Sequence, residues 1–118
     1  ILDFLSLRNL ASNELFLYEV KEVNMVLKTV GIAGTLESSD AMITVEPANE
    51  GGIVIDVSSS VKRQFGRQIT ETVLNTIKEL GVENASVKVV DKGALNYALI
   101  ARTKAAVYRA AESKEYKF

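Results

Sequence analysis

Histidine and cysteine are both absent from this chain. The residue types that most often move protons, attack carbonyls or hold soft metals near neutral pH are therefore missing, and what remains is hydroxyls, carboxylates and amines. One such group is Glu37-Ser38-Ser39-Asp40, two hydroxyls between two carboxylates. Serine and aspartate bond readily to nearby backbone, so on physical grounds alone this is a polar turn. Ser38 and Ser39 are chemically equivalent hydroxyls, and Glu37 and Asp40 read as solvated turn acids, with recognition of the turn by a partner as the other reading.

A second hydroxyl cluster, Ser58-Ser59-Ser60, precedes a helical pattern but lacks a glycine-rich phosphate cradle. Strand exit and helix capping by Ser60 account for it. Lys62, Arg63 and Arg67, and separately Arg102 with Arg109, form small basic faces diluted by Glu71, Glu79 and Glu112. They read as solvated charge and are assigned no site. Asp91-Lys92-Gly93 reads as a strand-to-helix turn with an aspartate cap and a permissive glycine.

The elements that must position these groups follow from periodicity. Alternation begins at Thr29, with Val30 and Ile32 on one side, and resumes at Ala41, Ile43 and Val45. Pro47 to Gly52 breaks that run, and Ile53, Ile55 and Val57 mark a third strand. A helical period then carries Val61, Phe65, Ile69, Val73 or Leu74, and Ile77, with Gly81 just past its end. Ala85, Val87 and Val89 give a fourth strand, and an alanine-rich helix runs from about Ala94 towards Ala111. The order strand, strand, strand, helix, strand, helix argues for an α+β fold in which two helices pack on a small, largely antiparallel sheet.

With 118 residues, of which 47% are hydrophobic, one domain is expected, and 14 basic against 15 acidic residues offer no field for a nucleic acid. No aromatic residue falls in the expected strands, which argues against base stacking on the sheet. Residues 1–24 are apolar in places but interrupted by Asp3, Arg8, Glu14 and Glu19, unlike a membrane span, and lack the features of a secretory signal. A cytoplasmic location with no membrane partner is the expectation. The texture changes near Met25, so the domain is expected over 25–118, with 1–24 an extension.

Three blocks occur in order: Ala33 to Asp40; Val57-Ser58-Ser59-Ser60-Val61-Lys62 with Gln64-Phe65-Gly66; and Asp91-Lys92-Gly93-Ala94-Leu95 with Ala101-Arg102. Together they resemble the citrate lyase acyl carrier family, over about residues 25–112. The resemblance implies a non-catalytic carrier whose prosthetic group, 2'-(5''-phosphoribosyl)-3'-dephospho-CoA, is attached to the serine directly after the glutamate of the first block, here Ser38. It further implies an alpha subunit that exchanges acetyl for citryl on the carrier thiol, a beta subunit that cleaves the citryl thioester to oxaloacetate, and a prosthetic-group transferase. A protein without its own thiol would import one on a long arm. The chain departs from the family at Asn96 and Tyr97, where an acidic residue and a cysteine are frequent. The malonate decarboxylase acyl carrier subunit, with the same kind of arm, and an unmodified α+β interaction module are the alternatives.

Overall fold

The computed structural model describes residues 25–59 and 62–112; the proposed extension 1–24, the Ser60 cap and Val61 lie outside the described residues, as do the side chains of Lys62 and Arg63. The elements are β1 (Gly31–Gly34), β2 (Ala41–Pro47), β3 (Ile53–Ser59), α1 (Lys62–Glu79), β4 (Ala85–Asp91) and α2 (Asn96–Ala110). That is the order expected from periodicity.

The four strands form one sheet in the order β1-β2-β4-β3. β1 pairs antiparallel with β2, and β2 antiparallel with β4, whereas β3 lies parallel to β4. The sheet is thus mixed. The reason is the connection: β3 reaches β4 through the 18-residue α1, and a helical crossover returns the chain in its original direction.

Both helices pack on one face of the sheet and against each other. Alternation decides which residues they cover: Ala41, Ile43 and Val45 of β2, and Ala85, Val87 and Val89 of β4, are buried beneath Ile69, Val73, Ile77, Leu99, Ala106 and Val107. α1 ends with Gly81 in the left-handed region. There the Gly81 amide donates to the Lys78 carbonyl and the Val82 amide to that of Ile77, closing the helix while Val82 and Ile77 both join the core.

At β1, Val30 and Ile32 fall on one side, as the alternation implies, and that side faces away from the helices. Gly31 and Ala33 face the core, while Val30 and Ile32 remain 47% and 49% exposed. Close approach of α2 is the cause: a Cβ on Gly31 would lie 2.0 Å from the Ala106 carbonyl oxygen and 2.5 Å from the Ala110 nitrogen. The backbone of α2 occupies the space that a larger inward side chain would need, so Ile32 of this strand, and Val30 just before it, point outward. Among the described residues no helix is long and apolar enough to cross a membrane.

Candidate functional site

At one end of the sheet, β1 returns to β2 through residues 35–40. The Asp40 amide donates to the Glu37 carbonyl at 3.2 Å, which makes Glu37-Ser38-Ser39-Asp40 a four-residue turn with Ser38 and Ser39 at its centre. Both serines are exposed. Ser39 has φ 65°, an uncommon conformation for a residue with a Cβ. Its amide donates to the Lys92 carbonyl at 2.8 Å, and the Lys92 amide donates to the Asp40 carbonyl at 2.8 Å. This reciprocal pair splices the turn onto the β4-to-α2 loop, and holds Ser38 at the apex.

Asp40 is not a solvated turn acid. Its Oδ1 accepts hydrogen bonds from the Ala41 amide (2.7 Å) and from Arg102 Nε (3.0 Å), while Oδ2 accepts from the Thr35 hydroxyl (2.6 Å) and Arg102 Nη2 (2.9 Å). The Thr35 hydroxyl in turn accepts from the Glu37 amide at 3.2 Å. The bidentate Arg102 fork, the Thr35 hydroxyl and the Ala41 amide all favour the ionised carboxylate, and hold Asp40 well below the usual carboxylate range. Arg102 is raised for the reciprocal reason.

The reading of Arg102 and Arg109 as solvated charge is likewise corrected. Arg102 reaches across from α2 to clamp the turn, and Arg109 donates through Nη1 to the Ile32 carbonyl of the edge strand β1. Glu37, by contrast, is exposed as expected. One-dimensional reading missed the Asp40–Arg102 pair because 62 residues separate its members. The available signal was that Asp40 and Ala101-Arg102 both fall inside the blocks that carry the family resemblance.

The remaining motifs gather at the same end. Ser59 Oγ donates to Asp91 Oδ2 at 2.9 Å, so Ser59 closes the parallel strand pair. Asp91 is buried, and also accepts from the Gly93 amide (3.1 Å) and the Ala94 amide (3.0 Å). It therefore shapes the loop ahead of α2 rather than capping the helix, whose N-cap is Leu95 with no side-chain cap bond. Among the described residues no group of histidine, cysteine or carboxylate side chains is arranged to hold a metal. What this end can do chemically is present a hydroxyl on a fixed turn, open to another protein.

A family model described as malonate decarboxylase delta subunit (MdcD) matches residues 28–110. A curated citrate lyase acyl carrier protein of Fusobacterium nucleatum is 93% identical over 94 residues, which are 80% of this chain and all of that protein. One from Streptococcus mutans is 50% identical over 92 residues, covering 78% of this chain and 90% of the relative. Among solved structures, a Pseudomonas malonate decarboxylase hetero-tetramer in complex with malonate contains a chain similar in fold, with a TM-score of 0.63 at 16% identity, covering 75% of this chain and 91% of that one.

Proposed function

The chain belongs to the citrate lyase acyl carrier protein family, and from that premise we propose that it carries acetyl and citryl groups on a 2'-(5''-phosphoribosyl)-3'-dephospho-CoA arm esterified to Ser38. The arm supplies a thiol, which a chain with no cysteine otherwise lacks. The protein's own part is to offer one hydroxyl and to hold it still. The observation that carries the reading is the exposed Ser38 at the apex of a turn pinned through Asp40 to α2 and through Ser39 and Lys92 to the β4-to-α2 loop.

That geometry suits modification by a separate transferase, because an apex hydroxyl can be approached from solvent while its backbone stays fixed. Ser39 is the less suitable anchor, since its left-handed backbone and its bond to Lys92 seat it against the neighbouring loop. The partners in this reading are the alpha acyltransferase subunit, the beta lyase subunit and the prosthetic-group transferase. Tethering converts transfer between their sites into an intramolecular event at local concentrations of about a millimolar. The setting is the bacterial cytoplasm, during cleavage of citrate to oxaloacetate and acetate.

We assign the carrier domain to 25–118, with 1–24 as an extension. The 94 residues from Met25 to Phe118 equal in number those aligned with the whole Fusobacterium relative. The family model's description would favour malonate decarboxylase instead. The 93% identity to a citrate lyase carrier outweighs it.

Intact-mass measurement after co-production with the maturation enzymes tests the assignment. The unmodified sequence should gain one prosthetic group, Ser38→Ala should gain none, and Ser39→Gly, which also relieves the left-handed strain, should be modified as fully as the parent. Full modification of Ser38→Ala would move the anchor elsewhere.

A further inference from the structure

Beside the Ser38 turn, on the far side of the β4-to-α2 loop, lies an open cleft of about 480 Å³ between that loop and the first half of α1. Buried Ile69 and Leu99 contribute to its wall, together with Phe65 and Leu95, which are 44% and 61% exposed. Gln68 and Asn96 add primary amides and bond to each other at 3.4 Å. Exposed hydrophobics scattered singly are ordinary, but here two of them join buried apolar residues in one concave surface.

Building on the carrier reading above, we propose that this cleft is the resting site of the prosthetic arm, seating its pantetheine portion against Phe65, Ile69 and Leu95, with Gln68 and Asn96 facing its amides. Pantetheine alternates short hydrocarbon, including a geminal dimethyl group, with peptide-like amides. An apolar wall with amide side chains matches that alternation. Continuity of the backbone supplies the second argument. Ser38 is bonded to Ser39, the Ser39 amide donates to the Lys92 carbonyl, and Lys92 precedes Gly93, a residue of the cleft. Two Cα steps and one hydrogen-bonded crossing place the Ser38 backbone within about 13 Å of Gly93, inside the reach of an extended arm of this type.

The tether decides whether so shallow a site can matter. At a local concentration of about a millimolar, an intrinsic Kd of about a millimolar suffices for half occupancy. The arm would then exchange between the cleft and solvent, protected while it rests and released when a partner subunit captures it.

Amide NMR spectra of the full chain before and after arm attachment, with attachment followed by intact mass, provide the test. Signals of Lys92 and Gly93 should move in any case, because their loop is bonded to the turn. The decisive signals are Phe65, Gln68 and Ile69 on α1, which should shift on attachment and show contacts between the Phe65 ring or Leu95 methyls and the arm. In Phe65→Ala and in Leu95→Ser, both at exposed positions, these shifts should shrink at least several-fold while the added mass is retained. Complete attachment at Ser38 with α1 signals at their unmodified positions would overturn the resting site and leave the carrier reading intact. So would shifts that arise only on adding a partner subunit, which would mark the cleft as a protein-docking surface. Absence of any added mass would overturn both.

Discussion

At Asp40 a single carboxylate accepts bonds from two elements and a neighbouring hydroxyl, so its charge state and the shape of the Ser38 turn are one problem. Arg102 is 42% exposed and Asp40 14%, which places the pair between a buried and a surface salt bridge. Loss of Arg102 is expected to weaken stability by only about 1 kcal/mol, because solvent screens the pair. The larger effect should be local: in Arg102→Ala the Ser39 and Lys92 amides should exchange hydrogen faster, and modification of Ser38 should slow. Unchanged exchange at both amides would show that the backbone holds the turn without the clamp. The pH dependence has a definite sign. Because the folded value of Asp40 lies below its unfolded value near 4, its contribution is fully present above that pH and is lost as pH falls towards the folded value. The stability gap between the parent and Asp40→Asn should therefore narrow between pH 7 and pH 3, as read from urea midpoints. A constant gap would remove the ionised carboxylate from the account.

Helix α2 carries Arg102 and Arg109, packs on β1 and β2, and begins beside the cleft. Its distance from the sheet is set by Gly31, whose missing side chain admits the backbone at Ala106 and Ala110. Gly31→Val should push the helix away, destabilising the domain by about 3 kcal/mol or more, since the clash is with backbone rather than with a yielding side chain. The same displacement should loosen the Arg102 grip on Asp40, so modification of Ser38 should fall along with the urea midpoint. Normal stability and normal modification in that variant would show that this contact does not set how closely α2 approaches the sheet. Its neighbour Ile32, 49% exposed on the opposite side of β1, should tolerate substitution by valine.

At the scale of the whole domain, the described residues form two layers around one core, between a mixed sheet and two helices on the same face. Ile43 on β2 and Val89 on β4 are partners in register, and both are fully buried. Ile43→Ala should cost about 2–5 kcal/mol, a large share of a small domain's stability. Val54, on the opposite face of β3 and 60% exposed, should change stability by no more than about 0.5 kcal/mol when replaced by alanine. Equal losses from the two substitutions would contradict a single covered face. The arrangement brings function to one end of the sheet: the Ser38 turn, the ends of β3 and β4, and the start of α2 meet there because β2, β3 and β4 place Ala41, Ser59 and Asp91 side by side.

Alternation along Ala41 to Val45 and Ala85 to Val89, the helical period through Ile69, Val73 and Ile77, and the terminating Gly81 were all legible in the chain, since they depend on neighbours within a few residues. The turn at Glu37 to Asp40 was legible for the same reason. The inward phase of β1 was not, because it is imposed by the backbone of a helix some seventy-five residues away, packed against Gly31. Nor was the parallel setting of β3 distinguished from a general antiparallel expectation. The Asp40–Arg102 clamp and the cleft bounded by Phe65 and Leu95 belong to the same class: each joins residues distant along the chain, and only the packing of α1 and α2 on the sheet brings them within reach. Local periodicity determines which elements form, whereas contact between their side chains depends on the distances at which those elements settle.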